Sequence, residues 1–303
     1  MIKKYIKKLI KNIPKTDNIE TIDLVLEGGV FNGGYQIGIL LFLKEMEKHK
    51  KIKIDKMTGC SCGAFGAILY HLNKLDMAVE LFEELINFFK KNKNMSIIHT
   101  LIDEKLRPIL PPNFHKQISN KIFINYYDVK KQKKIIRSKY KSIEDVINIL
   151  KRSSFVPFLI NGDTMYDNNY IDGIFPYILK CNPNKKVLYI DLCGENNLKY
   201  MFSVKNENNV YHRLLTGILD IHLFFIKKTN TQMCSYVNNW STYLWVKNKI
   251  FKYVIEKILF YILFFYVYLK NLIDSNLKNV LLLNLMYKIK DEFTIQLIDN
   301  YCL

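Results

Sequence analysis

The stretch TIDLVLEGGVFNGGYQIGILLFLKEMEKHKKIKIDKMTGCSCGAFGAILY, residues 21–70, decides the fold. IDLVLE is a short apolar run, EGGVFNGG a glycine-rich turn, and YQIGILLFLKEMEKHK a helical pattern, giving the order strand, loop, helix. A second unit follows: KIDKMTG approaches as a strand, CSCG turns, and AFGAILYHLNKL runs on as an apolar helix. Strand–helix alternation of this kind is the start of an α/β domain. Eight of the twelve glycines fall between Gly28 and Gly66. Glycine serves where φ must be positive or where a ligand comes against the backbone, so chemistry is expected at these two turns.

Upstream, residues 1–13 set Ile2, Tyr5, Ile6, Leu9, Ile10 and Ile13 at helical spacing, with lysines on the other faces and Pro14 as the stop. This basic amphipathic helix suits either an anionic membrane or the body of the protein. Downstream, helical sequence continues to about residue 94, and the prolines between Arg107 and Asn113 interrupt it. KIFINYYDV and KKIIRS then read as a hairpin, and residues 142–151 as a helix. Turn signals at Asn161-Gly162 and Asp172-Gly173 precede VLYIDLCG, a buried strand. Past residue 200 glycine nearly disappears and the pattern turns aromatic, aliphatic and helical. The organisation expected is an N-terminal segment 1–18, a catalytic domain 19–200 and a helical extension 201–303 packed on the core.

The 303 residues carry 45 basic against 28 acidic side chains, a formal +17. Nearly all of that charge is lysine, and Asn and Ile are abundant as well, as AT-rich coding produces, so the charge is not read as nucleic-acid binding. With 49% apolar and 24% charged residues the chain is globular, and disorder, collagen and coiled coil are excluded. The six cysteines show no C-x-x-C or Cys/His metal spacing and read as free thiols of a reducing compartment. Lysines break up the N-terminal apolar pairs, so no secretory signal is expected. The longest uncharged apolar run, Ile258 to Leu269, falls short of a membrane span and suits a buried or interfacial helix.

Gly59-Cys60-Ser61-Cys62-Gly63 is a G-x-S-x-G between a strand and an apolar helix, the setting in which a serine sits on a strained elbow with its hydroxyl exposed. The helix that starts there points its amide dipole at any anion formed on the serine. Glu27 to Gly34 suits a loop that presents backbone N–H groups to a developing oxyanion. A dinucleotide fingerprint is not met, because the second glycine step and the closing acidic residue are missing. A serine nucleophile needs a base. Asp172, before Gly173, is the best carboxylate, with an ordinary Asp-Gly turn as the bland reading. His212 and His222 alone stand in the order Ser, Asp, His of a triad hydrolase. Cys60 and Cys62 read as the small apolar side chains that a tight elbow accepts.

LVLEGGVFNGGYQIG, TGCSCGAFGA and YIDGIFPY, in this order, resemble the patatin-like phospholipase family. INYYDVKKQKKIIR and SIEDVINILKRSSFVPFL between them are similar to that family's strand pair and the helix before its aspartate, and the likeness covers about residues 21–190. The resemblance implies a three-layer α/β hydrolase with a central, mostly parallel sheet. It implies Ser61 as nucleophile, Asp172 as the base of a Ser-Asp dyad, and amides of Gly28, Gly29, Val30 and Gly33 as oxyanion hole, with Gly59, Gly63 and Gly173 supporting the motifs. No metal or cofactor is implied. The implied reaction is hydrolysis of fatty-acyl esters of phospholipids or other acyl lipids by a cytoplasmic protein bound peripherally to membranes.

Two positions depart from the family. Val30 stands where a third glycine is usual, with Asn32 where a basic residue is usual, and Ile174 follows Gly173 where Gly or Ala is usual. A β-branched Val30 resists positive φ, so the loop must shift or carry strain. These departures motivate two other readings beside the lipid hydrolase: a catalytically silent scaffold that binds membrane or a partner, and, with the histidines, a Ser-Asp-His esterase.

Overall fold

The computed structural model describes residues 2–14, 18–183, 185–194, 197–205, 207 and 209–275, with scattered positions between 285 and 298. In chain order its elements are α1 (Ile2–Lys11), β1 (Glu20–Leu26), α2 (Gly33–Lys48), β2 (Ile52–Gly59), α3 (Cys62–His71), α4 (Leu75–Asn92), α5 (Ile97–Leu101), α6 (Phe114–Ile118), β3 (Ile122–Asp128), β4 (Lys133–Arg137), α7 (Ile143–Ser153), β5 (Tyr170–Asp172), β6 (Lys186–Ile190), α8 (Tyr211–Lys227), β7 (Cys234–Tyr236), α9 (Thr242–Trp245) and α10 (Lys252–Ser275).

The apolar run from Ile22 to Leu26 is buried throughout, as a strand covered on both faces must be. β1 accordingly lies inside the sheet, whose order is β4-β3-β2-β1-β6-β7, with β5 added on β3. β3, β2, β1 and β6 run parallel, and β4, β5 and β7 pair antiparallel at the margins. The mostly parallel sheet with flanking helices is the α/β architecture expected. Register matters for function: Leu26 lies beside Gly59 of β2 and Ile190 of β6. The loops that leave these three strands therefore emerge together, at the carboxyl ends where open α/β sheets bind ligands.

The extension past residue 200 is built into the body. β7 completes the sheet on β6, so this part is not purely helical. α8 packs on α2 through a pair of glycines: a Cβ on Gly38 would stand 2.1 Å from the Leu214 carbonyl oxygen, and one on Gly217 2.0 Å from that of Tyr35. α1 also joins the main core, with Ile6, Ile10 and Ile13 buried and its lysines toward solvent. Its apolar face is used on the protein, which removes that face from the membrane reading.

α10 buries Phe260 and Leu263 against Tyr127, Val129 and Ile171. Its outward side chains are apolar all the same: Tyr261, Ile262 and Phe265 are 57, 62 and 60% exposed. No helix among the described residues is long and apolar enough to cross a membrane.

Candidate active site

Ser61 sits between the end of β2 and the start of α3 with φ 51° and ψ −129°. This is a sparsely populated conformation for a residue with a side chain, and it persists only where the surroundings impose it. They do so through close packing: a Cβ on Gly63 would meet the Leu26 carbonyl oxygen at 2.3 Å, and one on Gly59 the Gly63 carbonyl carbon at 2.5 Å. Only glycine at both positions lets the elbow press against β1. The Ser61 N–H is held by the carbonyl (2.9 Å) and the hydroxyl (3.2 Å) of Ser153, at the end of α7.

Asp172 ends β5, which reaches the site because it pairs with β3, Asp172 lying opposite Tyr126. Its N–H donates to the Phe155 carbonyl at 2.9 Å, and its Oδ1 accepts from the Ile174 N–H at 2.7 Å. Oδ2 is buried with no partner at normal hydrogen-bond geometry. The Ser61 hydroxyl is nonetheless close enough to stabilise the carboxylate as a hydrogen-bonding neighbour. Such contacts are often long in a ligand-free site and shorten when substrate binds. Burial pushes the Asp172 carboxyl up to about 6, against the opposing pull of the Ile174 N–H, the Ser61 hydroxyl and the Lys134 charge.

The turn after Asp172 is stapled by Asn125 of β3, whose Nδ2 donates to the Phe175 carbonyl at 3.0 Å and whose Oδ1 accepts from the Tyr177 N–H at 3.1 Å. Gly173 makes room for it, since a Cβ there would fall 2.2 Å from Asn125 Nδ2.

The loop after β1 passes directly over the serine: a Cβ on Gly28 would lie 3.1 Å from that of Ser61. Among the described residues no backbone carbonyl accepts from the N–H groups of Gly28, Gly29 or Val30. Both departures from the family pattern fall on unusual backbone, with φ 47° at Val30 and 58° at Ile174. The turns that glycine would favour are thus made by β-branched residues under strain rather than displaced. Asn32 donates to the carbonyls of Leu192 (2.8 Å) and Asn197 (2.9 Å) and accepts at 3.0 Å from buried Arg213 on α8. A basic group thus reaches this turn from a helix far along the chain.

Two cavities meet at Ser61. The larger, about 950 Å³, is lined by Gly28, Gly29, Val30, Ser61 and Asp172 on one side and by α10 side chains such as Ile255, Leu259 and Ile262 on the other. The smaller, about 110 Å³, runs between α3 and α4 past Phe65, Leu69, Phe82 and Leu85, with Val30, Gly33 and Ser61 at its mouth. Both are apolar almost throughout.

The structure does not bring His212 or His222 to the serine. His212 is exposed on α8, and His222 stacks edge-on to Phe42 (6.0 Å between centroids); neither lines a cavity with Ser61. The triad reading is set aside on that geometry. The Cys60 thiol is pushed well up by burial and by the Asp172 charge, and the Cys62 thiol up to about 12 by the same causes. Neither is a nucleophile. Among the described residues no three His, Cys, Asp or Glu side chains converge as a metal site.

The profile of the patatin-like phospholipase family matches residues 24–175, half of the chain and all of the loops described above. The chain belongs to the patatin-like phospholipase family. The 1-acylglycerol-3-phosphate O-acyltransferase Pnpla3 of Mus musculus is 26% identical over 214 residues, 65% of this chain and 51% of that protein. The Homo sapiens protein of the same name is 26% identical over 159 residues, 50% of this chain and 33% of that protein. This patatin-like chain therefore spans about half the mouse relative and a third of the human one. Several groups that hold its site lie outside the matched stretch: Arg213 beside Asn32, and Lys252 and Glu256 on α10. The sequence gave no sign of them, since a lone Lys or Glu in a helix reads as solvated.

Proposed function

We propose that this patatin-like chain is a lipid acyl hydrolase of the phospholipase A kind, with Ser61 as nucleophile and Asp172 as its base. The observation that carries this is Ser61 on a positive-φ elbow beside a buried carboxyl with a free Oδ2, at the floor of a large apolar cavity.

Asp172 takes the Ser61 proton as Oγ attacks the acyl carbonyl carbon. The carbonyl oxygen then carries the negative charge, which the N–H groups of Gly28, Gly29 and Val30 and the start of α3 are placed to stabilise. Collapse breaks the ester bond, and the departing alkoxide takes the proton back from Asp172. Water next attacks the acyl-enzyme as Asp172 accepts its proton, and the fatty acid leaves as that proton returns to Ser61. A tetrahedral carbon on Ser61 must send its acyl chain and its leaving group in different directions, and the two cavities diverge from that point. The larger fits the leaving lipid, with Lys247 and Lys252 in its lining for an anionic headgroup.

The exposed apolar face of α10, beside this cavity, fits peripheral docking on a lipid surface, with Lys257 and Lys270 flanking it for anionic headgroups. A second reading, acyl transfer to a lipid alcohol, draws on the nearly dry lining of both cavities, which disfavours water as acceptor, and on the activity that the two relatives are named for.

Vesicles of phosphatidylcholine with a labelled acyl chain, offered with 1-acylglycerol-3-phosphate, separate these readings. Labelled fatty acid supports hydrolysis, labelled phosphatidate supports transfer, and neither product from folded protein supports the silent scaffold. Ile262→Asp/Phe265→Asp is expected to cut turnover on vesicles about tenfold or more while sparing a soluble short-chain ester. Equal loss on both substrates would remove α10 as the docking face.

A further inference from the structure

α10 carries two buried charges one helical turn apart, Lys252 and Glu256, with side chains only 6 and 3% exposed. A charge at such depth is tolerated only when paired, and a helix can be anchored by apolar contacts alone, so both partners are informative. Each belongs to one of the two loops at Ser61.

Lys252 Nζ pairs with Glu27, the residue just before Gly28, and reaches Asp191 Oδ1 at 3.2 Å. The same Glu27 carboxylate accepts from the Tyr189 hydroxyl and from the N–H groups of Leu192 (2.8 Å) and Cys193 (3.0 Å). One fully buried carboxylate thus ties together β1, the end of β6 and α10. Glu256 pairs with Lys134 of β4, and Lys134 Nζ also donates at 2.8 Å to the carbonyl of Phe175, three residues after Asp172. The opposite face of the helix is the exposed apolar one, and the large cavity lies between α10 and the serine.

We propose that α10 is a clamp on the active site, in which Lys252, through Glu27, and Glu256, through Lys134, are positioning residues for the glycine loop and for the Asp172 turn. Displacing the helix loosens both loops at once, so whatever α10 rests on sets the reactivity of Ser61. The effect on reactivity rests on the acyl-hydrolase reading; the effect on the loops does not. Burial raises the Glu27 carboxyl to about 7, and the Lys252 charge opposes that rise, so losing Lys252 leaves a neutral Glu27 and a slack loop. Around Asp172 the groups that set its charge are the Ser61 hydroxyl, the Cys60 and Cys62 thiols, Lys134 and Glu256. Glu256 is the one among them that α10 supplies.

The test uses the full chain as Lys252→Met, Lys252→Met/Glu27→Gln, Lys252→Arg and Glu256→Gln, with amide hydrogen exchange and Ser61 labelling by a fluorophosphonate across pH. Lys252→Met/Glu27→Gln leaves no unpaired buried charge, so it reports on the clamp even where the single variant unfolds. The clamp predicts exchange about tenfold faster over residues 27–33 in both Lys252→Met variants, over 172–177 in Glu256→Gln, and near wild type in Lys252→Arg. It also predicts that Glu256→Gln moves the acid limb of labelling down by about half a pH unit, because a negative charge beside Asp172 is gone. The Lys252→Met variants should slow labelling without moving that limb. Wild-type exchange in both loops of Lys252→Met/Glu27→Gln and Glu256→Gln overturns the clamp. Loosened loops in a protein whose wild-type Ser61 never labels would uphold the clamp and overturn the hydrolase reading instead.

Discussion

Asp172→Asn is expected to slow acyl-enzyme formation at Ser61 by about 10³- to 10⁴-fold while making the protein more stable at pH 7. The loss follows because an amide cannot take the serine proton. The gain follows from the sign of the pKa shift. Folding raises this carboxyl from its ordinary 3.8 to about 6, so between those values the folded state holds the proton more tightly. Stability from this group is therefore fully present below pH 4 and falls as pH rises through 6, and at pH 7 the buried carboxylate opposes folding by about 2–3 kcal/mol. Asn keeps an oxygen for the Ile174 N–H and carries no charge, so urea unfolding at pH 7 should show most of that difference and at pH 4 almost none. The same titration places the acid limb of wild-type activity near pH 6. A variant that is both inactive and destabilised at pH 7 would mean that Asp172 is an ordinary turn residue.

Val30→Gly and Ile174→Gly are expected to stabilise the chain by about 1 kcal/mol each. Holding a β-branched residue at positive φ costs about 1–3 kcal/mol, against about 0.5–1 kcal/mol for the extra freedom that glycine brings to the unfolded chain. The two sites belong to different loops, so the double variant should gain about 2 kcal/mol, which for a chain of this size raises Tm by about 4–8 °C. Thermal unfolding reads this directly. Val30→Gly also removes the side chain shared by the mouths of both cavities, so fluorophosphonate labelling should quicken as the loop relaxes. A fall in Tm for both variants would show that packing of Val30 and Ile174 outweighs their backbone strain.

What the sequence made legible was what depends on local pattern. The apolar run before Gly28, the G-x-S-x-G at residue 61 and the hairpin at residues 122–137 each carry their cause within a few residues, and they gave the α/β class, the mostly parallel sheet and the elbow. The strain at Val30 was also readable, because branching at Cβ and the need for positive φ are local facts. Contacts between distant elements were not readable. Nothing in CSY announces a strand, because β7 exists only through its pairing with β6. Gly217 reads as a weak point in a helix until Tyr35 is seen against it. Lys252 and Glu256 read as solvated lysine and glutamate, and only the depth at which α10 packs makes them part of the site. The N-terminal helix left two readings open because its lysine-flanked apolar stripe fits a membrane and a protein core equally, and its packing decided for the core.

The account rests on Ser61 being an activated nucleophile. The most direct test is the intact mass of the protein after incubation with a fluorophosphonate, wild type beside Ser61→Ala. The account predicts one phosphonyl adduct on wild type, formed faster above pH 6 than below, and none on Ser61→Ala. A folded wild type that takes up no adduct, or an adduct that persists in Ser61→Ala, would contradict it.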